Sequence, residues 1–588
     1  MCSIIGIVGK NVVAPALVES LKRMEYRGYD SVGVATLSTN KISVRKGIGK
    51  VSQVNSSLNL AAMDGFVGIG HTRWATHGGV TDNNAHPHPC CTNDIAVVHN
   101  GIIENYRELK DELVKKGHRF RSETDTEVIA HLLEDHHNAS KDIKRAMKET
   151  VEELAGSFAF IAMFSNGSLA CARLDEPLVI GISDNAFYAS SDVLGFLQYT
   201  DQAVFLDNRD MVIIDKEGIN IFDFGGEPVV RGITKVAWEL ADANKGEFAH
   251  YTLKEIFEQR TSIKAATYQE GYKIKAFCDA IAGAGNIIVT GSGTSYHTSL
   301  IASMIGSRFL KKRFEPVMAS EFKYNMNSID SDTAVVAISQ SGETADVLSA
   351  TKLASAAGAK ILSIVNVPTS SLARAADVSL SINSGPEIGV AATKSFTGQV
   401  SLVYAILDRM SEGRVGYDGD AVSGVIAKML AGSAGVERLV NMTMPKVNDI
   451  YLLGRSIHFP IALEGALKMK ELAYVHAEGI AAGELKHGPL ALMDKNAVVL
   501  VLNPDDKTYV DTLSSAHEVK ARGAKIVGIS NFPSDVYDAM IEIPKMDNEL
   551  LYPLVEIIPL QLFSYYLALH NNADPDFPRN LAKSVTVR

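Results

Sequence analysis

The sequence predicts an α/β protein of several packed units, with a β-rich first half and a duplicated, doubly wound second half. Three observations predict this. From Cys2 to about Asp215, short β-rich runs such as residues 3–8 and 94–98 are broken by Gly- and His-rich turns. Beyond about residue 250, continuous apolar strands alternate with helical segments, the pattern of parallel βαβ units covered on both faces. That half also repeats itself: Gly-Ala-Lys-Ile-Leu-Ser-Ile-Val-Asn at 358–366 returns as Gly-Ala-Lys-Ile-Val-Gly-Ile-Ser-Asn at 523–531, 165 positions on. Strand-like runs precede each copy at matching distances, at 287–290 and 335–338 in the first and at 450–453 and 498–502 in the second.

Length and composition agree with that reading. A chain of 588 residues fits about three to four domains with sizeable cores. Hydrophobic residues make up 46% and charged residues 21%, an ordinary globular composition. With 57 Lys+Arg against 68 Asp+Glu the net charge is −11, which argues against nucleic acid as a partner. A phosphorylated small molecule stays open, because backbone N–H groups and hydroxyls suffice to hold it. No run of about 18 or more apolar residues and no signal-peptide pattern is seen, so a cytoplasmic protein with no membrane partner is expected. The five cysteines are odd in number and irregularly spaced, which argues against a disulfide framework.

The expected boundaries are a first domain at 2–218, a linker at 219–250 around the polar stretch 242–246, repeats at 277–417 and 441–578, and a tail at 579–588. A helical pattern at about 126–136 interrupts the first domain.

Cys2 follows the initiator, so removal of Met1 leaves a thiol and a free α-amine on one residue. An α-amine titrates near 7.7 to 8.0, so roughly a tenth is neutral at pH 7, and it can act as the base for its own thiol. Position alone is weak evidence. Its company is stronger: His71-Thr72-Arg73-Trp74-Ala75-Thr76-His77-Gly78 and His99-Asn100-Gly101-Ile102-Ile103-Glu104-Asn105 both follow apolar strands. With Tyr26-Arg27-Gly28-Tyr29-Asp30-Ser31 and Ser122-Glu123-Thr124-Asp125-Thr126-Glu127, these motifs resemble the class II glutamine amidotransferases of the N-terminal nucleophile hydrolase superfamily.

The resemblance implies a four-layer αββα glutaminase domain with Cys2 as nucleophile, and Asn100 with the Gly101 N–H as the oxyanion hole. It also puts Arg73 on the glutamine carboxylate and Asp125 on its ammonium, with Thr76 and His77 nearby and Trp74 at the gate of an ammonia route. The charges suit a zwitterion, since a guanidinium fork matches a carboxylate and an acid matches the ammonium. Taken singly, Arg73 and Asp125 also read as surface charges, and Trp74 as a buried aromatic. His86-Pro87-His88-Pro89-Cys90-Cys91 looks like a zinc cluster, but zinc sites use spaced cysteine pairs, so the stretch is read as a stiff loop and no metal is expected.

In the second half, Ser339-Gln340-Ser341-Gly342-Glu343-Thr344 lies between a strand and a helical pattern starting near Ala345. Hydroxyls and N–H groups at a helix N-terminus suit a phosphate dianion, although a capping box also explains some of these residues. Phosphate is favoured because Gly291-Ser292-Gly293-Thr294-Ser295 occupies the equivalent turn one unit earlier, while the second copy has Asn503-Pro504-Asp505-Asp506 in place of the loop. These features resemble the SIS (sugar isomerase) domain, which implies Ser339, Gln340, Ser341 and Thr344 as phosphate ligands with Thr294 beside them.

In the second copy Glu464, Lys468 and Glu471 fall on one helical face, either as a solvated ion-pair ladder or as site groups. Their context is Gly483-Glu484-Leu485-Lys486-His487-Gly488-Pro489 and the ending Leu581-Ala582-Lys583-Ser584-Val585-Thr586-Val587-Arg588. Together the motifs resemble the glutamine–fructose-6-phosphate aminotransferases from Cys2 to the tail. That resemblance implies glutamine and fructose 6-phosphate as substrates, glucosamine 6-phosphate as product, the first step of amino-sugar synthesis, no cofactor, and a homodimer built through the isomerase half.

It further implies His487 for ring opening, Lys583 as Schiff-base amine and Glu471 for proton transfer between C1 and C2, with Lys468 and Glu464 in support. Two positions depart from the family: the chain ends in Arg588, where Glu is commoner, and Gln259-Arg260 stands where Gln-Pro is common. Two alternatives are an ammonia-dependent isomerase or deaminase with an inert first domain, and a sugar-phosphate sensor. The presence of Cys2, Arg73, Asn100 and Asp125 argues against the former, and that of Glu471, His487 and Lys583 against the latter.

Overall fold

The run Ser3–Gly9 is apolar without alternation because both of its faces are buried. Ile4 and Val8 point into a core shared by two stacked sheets, while Ile5 and Ile7 pack against helices on the outside. In the computed structural model, which describes residues 2–236, 244–443 and 449–586, this strand lies inside an eight-stranded antiparallel sheet. Its neighbours are Val67–Arg73 on one side and Ala186–Ser190 on the other. A second sheet, of six strands and also antiparallel, has Ile95–Ile103 and Gly156–Phe164 at its centre. Helices Ala14–Met24 and Val51–Leu58 cover the first sheet, and Glu127–Ser140 and Ile143–Glu153 cover the second. The layers are therefore α, β, β, α, as the resemblance implied.

This unit comprises Met1–Ala241 together with Ala582–Arg588. Residues 219–236, assigned from sequence to a linker, contain two strands that pair within it: Gly218–Asp223 against Asp210–Asp215, and Ile233–Lys235 against Gln202–Phe205. Short strands with so few buried residues carry little periodicity, so polarity alone suggested a linker. Met1, residues 237–243 of the expected linker, and Val587 and Arg588 of the tail lie outside the described residues.

The second unit, Asp242–Leu581, holds two parallel five-stranded sheets of the same order. In the first, Phe314–Met318, Asn286–Gly291, Thr333–Ser339, Lys360–Val365 and Val378–Ser381 lie side by side. In the second, the sequence is His476–Ala481, Asp449–Gly454, Val498–Leu502, Lys525–Ser530 and Ala539–Glu542. Each sheet runs in the order 2-1-3-4-5, so the repeat read from residues 358–366 and 523–531 is a repeat of structure. Among the described residues, one helix, Glu549–His570, is long and apolar enough by composition to cross a membrane, although Glu556 and Gln561 interrupt its apolar run. Its window is 94% buried, and it packs against Phe459–Ala473 as a core element of this unit.

Candidate functional sites

Strand pairing builds the first site. Ser3 lies opposite Thr72, so Cys2 falls beside the residues that leave the adjacent strand, Arg73 and Trp74. Cys2 Sγ accepts the Trp74 N–H at 3.2 Å and is 3.4 Å from the Trp74 carbonyl oxygen. Burial pushes the thiol pKa up, against the pull of the Trp74 N–H and the Arg73 charge. Trp74 is half-buried, with its ring edge-on to Tyr29 at 5.8 Å. Asp30 Oδ2 accepts the Ala75 N–H at 2.8 Å, which ties the Tyr26–Ser31 motif to the Trp74 turn.

Arg73 is 3% exposed and both terminal nitrogens of its guanidinium hold the following loop. Nη1 donates to the Gly79 carbonyl at 3.0 Å, and Nη2 to those of His77 at 2.5 Å and Gly78 at 3.1 Å. Three of its five N–H donors are engaged in this way. His77 packs edge-on to Tyr106 at 5.4 Å, whereas Thr76 is exposed.

Asn100 and Gly101 come from the facing sheet, on Ile95–Ile103. Asn100 is 3% exposed and its Oδ1 makes no hydrogen bond among the described residues. Gly101 has φ of +113°, and a Cβ there would meet the Ser157 carbonyl oxygen at 2.1 Å, so only glycine fits. Asp125 is also buried, and its Oδ2 accepts the Ile103 N–H at 2.8 Å on the same strand.

Near these groups, the histidines of the His86–Cys91 stretch, read from sequence as a stiff loop, cluster with the motif histidines His71 and His99. His86 stacks on His71 at 3.9 Å and meets His88 at 4.6 Å, and His99 Nδ1 lies 2.9 Å from Thr126 Oγ1. Burial holds His71, His86 and His88 well below the ordinary imidazole range and lowers His99 as well. The rings are therefore neutral at neutral pH. In the tail of the same unit, Thr586 Oγ1 donates to Glu176 Oε2 at 2.8 Å.

The second site sits at the switch point of the first parallel sheet. Asn286–Gly291 and Thr333–Ser339 are neighbours there, and their connections leave in opposite directions along the sheet, the place where such sheets bind ligands. Both polar loops open at that end. In the second loop Ser339 Oγ accepts the Gly342 N–H at 3.0 Å and lies 3.2 Å from Thr344 Oγ1, while Ser341 Oγ accepts the Glu343 N–H at 3.1 Å. Gly342 has φ of +66° with Ser370 packed against it. Thr344 is the N-cap of Ala345–Ala356 without a side-chain cap bond, so the capping-box reading gives way to an internally bonded loop. Gln340 is half-buried, and its carbonyl accepts the Asn366 N–H at 3.0 Å.

Thr294 starts the helix Thr294–Leu310 after the first loop and meets the helix Phe459–Ala473 of the second copy. Thr294 Oγ1 donates to Glu464 Oε1 at 3.0 Å, and Lys468 Nζ donates to Thr294 Oγ1 at 3.1 Å. Lys468 Nζ also lies 3.4 Å from Glu464 Oε1 and 2.6 Å from Glu471 Oε2. Glu464 and Lys468 are fully buried, which rules out a solvated ladder. Burial works against the charge on Glu464, but Lys468 and its hydrogen bonds outweigh it and lower the pKa. Burial likewise opposes the charge on Lys468, and the two glutamates overcome it and raise its pKa.

His297 joins this network, with Nδ1 2.7 Å from Glu464 Oε2; its place one turn after Thr294 was the signal available in the sequence. His487 is exposed on the turn Ala482–His487, and no hydrogen bond or ion pair joins it to that cluster among the described residues. Lys583 belongs to the tail segment grouped with the first unit.

The matching switch point of the second copy is filled. His458 lies between Glu556 Oε2, 2.8 Å from Nδ1, and Asp506 Oδ2, 3.0 Å from Nε2. Asp506 is the last residue of Asn503-Pro504-Asp505-Asp506, which stands where the first copy has its hydroxyl loop.

Comparison with known proteins finds the same division into one glutaminase-like and two repeated parts. A glutamine amidotransferase domain model matches residues 71–198, and a SIS domain model matches twice, at 280–409 and 444–571. The glutamine–fructose-6-phosphate aminotransferases (isomerizing) of Thermococcus kodakarensis, Pyrococcus horikoshii and Aquifex aeolicus are 43%, 44% and 42% identical to this chain. Each alignment covers 100% of both chains. Among solved structures, the C-terminal domain of glucosamine-fructose-6-phosphate aminotransferase from Francisella tularensis matches at TM-score 0.53 and 31% identity. It covers 57% of this chain and 99% of that one.

Proposed function

The chain belongs to the glutamine–fructose-6-phosphate aminotransferase (isomerizing) family, and from that premise we propose how its residues divide two half-reactions. The protein is an enzyme that takes the amide nitrogen of glutamine, adds it to fructose 6-phosphate and isomerises the product to glucosamine 6-phosphate. In the first half-reaction the Cys2 thiol, deprotonated by its own α-amine once Met1 is removed, attacks the glutamine carboxamide. Asn100 and the Gly101 N–H receive the developing oxyanion, ammonia leaves, and water releases glutamate from the thioester. Arg73 and Asp125 hold the two charges of the amino acid, His77 and Thr76 frame the entrance, and Trp74 gates the departing ammonia.

In the second half-reaction Ser339, Gln340, Ser341 and Thr344 hold the phosphate, with Thr294 beside them. His487 moves the proton that opens the ring. The Lys583 amine condenses with the C2 carbonyl, releasing water, and ammonia displaces it. Glu471 then takes a proton from C1 and returns it to C2, while Lys468 and Glu464 fix its charge and place. The observation that carries this half is the buried Thr294–Glu464–Lys468–Glu471 network, which joins the turn beside the phosphate loop to the proposed base. No cofactor enters these steps. The enzyme is proposed to work in the cytoplasm as a homodimer through its isomerase half, with no nucleic acid or membrane partner. Its five cysteines are free, which suits a reducing compartment.

Incubation with glutamine and fructose 6-phosphate, with glutamate and glucosamine 6-phosphate both measured, tests the whole reading. Equal amounts of the two products are expected. Synthesis from free ammonia alone would reassign the chain to the ammonia-dependent class, and no product from either source would leave a sensor.

A further inference from the structure

Cys91 turns away from Cys90 and from the histidine stack, toward helix Glu127–Ser140. Its Sγ lies 3.7 Å from His118 Nδ1 and 3.7 Å from His131 Nδ1, and the two ring nitrogens are 3.2 Å apart. Glu134 Oε2 completes the group, 3.2 Å from His118 Nδ1 and 3.6 Å from His131 Nδ1. All four atoms lie within 4.8 Å of one another. A tetrahedral zinc ion with bonds of about 2.3 Å to sulfur and about 2.0 to 2.1 Å to nitrogen and oxygen separates its ligands by about 3.3 to 3.6 Å. The five separations given above, 3.2 to 3.7 Å, lie close to that shell.

Hydrogen bonds link parts of the cluster pairwise. His118 Nε2 lies 2.7 Å from Asp135 Oδ1, which as a carboxylate takes the ring proton there and leaves the Nδ1 lone pair facing inward. Two imidazole nitrogens, a thiol and a carboxylate oxygen converge on one point, and no single shared proton serves all four. A cation serves all four. The surroundings also suit a thiolate and a fixed carboxylate: Cys91 Sγ accepts the Arg119 N–H at 3.3 Å, and Glu134 accepts the N–H groups of Cys91 at 3.1 Å and Thr92 at 2.8 Å. Thiolate and carboxylate together neutralise a divalent ion.

We propose that Cys91, His118, His131 and Glu134 bind one zinc ion in a closed structural site of the first unit. Four protein ligands leave no open position for chemistry. The ion instead fastens three separate pieces of chain: the end of strand His88–Pro89, the connection after helix Tyr106–Lys115, and helix Glu127–Ser140. The last two flank the Ser122–Glu127 motif, so the clamp holds Asp125 in place from both sides. The ligands are scattered along the chain, which is why the neighbouring His86-Pro87-His88-Pro89-Cys90-Cys91 drew attention to the wrong partners.

The test uses the untagged full-length protein, stripped with a chelator, refilled with zinc, desalted and assayed for metal by mass spectrometry. One zinc per chain is expected, falling to none in Cys91→Ser/His118→Ala. The Asp135→Asn variant, which keeps all four ligands, is expected to bind zinc about 10- to 100-fold more weakly. Cobalt in place of zinc is expected to give a thiolate-to-metal charge-transfer band that Cys91→Ser loses. Chelation should lower the melting temperature of the wild type and leave that of the double variant unchanged. Failure of the refilled wild type to retain stoichiometric zinc, or equal retention by the double variant, overturns the proposal, the second outcome meaning adventitious metal only. Either result leaves the glutaminase assignment of Cys2 untouched.

Discussion

Lys468 donates to Thr294 across 3.1 Å, and that bond joins the two copies of the duplicated unit at the candidate sugar site. Lys468 is fully buried between Glu464 and Glu471, so its removal strands a buried carboxylate. Breaking a buried pair from one side costs about 3 to 5 kcal/mol. Lys468→Met should therefore shift the urea unfolding transition of the second unit downward by that order and abolish glucosamine 6-phosphate synthesis. Glutamine hydrolysis by the first unit should persist.

Asn100→Ala removes a proposed oxyanion donor without touching the nucleophile. A loss of about 100- to 1000-fold in kcat for glutamate release is expected. Synthesis from added ammonia should keep its wild-type rate, which separates a catalytic defect from misfolding.

Lys583→Ala is expected to end synthesis with either nitrogen source while some glutamine hydrolysis survives. Wild-type synthesis in this variant would remove Lys583 from the mechanism.

The His458 pair makes the second unit sensitive to alkali. Burial opposes the imidazolium, but Glu556 and Asp506 outweigh it and raise the pKa to about 9, against an ordinary value of about 6.5. A raised pKa means that the folded state holds the proton more tightly. The contribution is full below about pH 6.5 and is lost as pH rises through about 9, with a magnitude of about 3 kcal/mol. Differential scanning calorimetry from pH 6.5 to 9.5 should show the transition of this unit falling, and His458→Gln should flatten the slope. Equal slopes in the two proteins would rule out His458 as its origin.

Local patterns made the fold legible. Runs such as residues 335–338 and 498–502 are apolar throughout because parallel strands are covered on both faces, and their repetition exposed the duplication before any contact was known. The glutaminase motifs and the hydroxyl loop are contiguous in sequence, so their residues could be named in advance. What remained hidden depends on distance along the chain. His458, Asp506 and Glu556 converge from three elements, and no spacing rule links Cys91 to His118, His131 and Glu134. The strands within residues 219–236 were missed for another reason: edge strands with exposed faces look like polar linker.

The stack of His71, His86, His88 and His99 implies that the two activities fail at opposite ends of the pH scale. These rings are held below their ordinary pKa, so the unfolded chain takes up protons that the folded first unit refuses, and stability is lost as pH falls below about 6.5. The second unit carries the reverse dependence through His458. Mild acid should thus inactivate glutamine use first and leave a catalyst fed by ammonium salts, whereas mild alkali should leave a glutaminase that releases its ammonia unused. The pH profile of glutamine hydrolysis and that of synthesis from a fixed concentration of free ammonia should cross rather than run parallel.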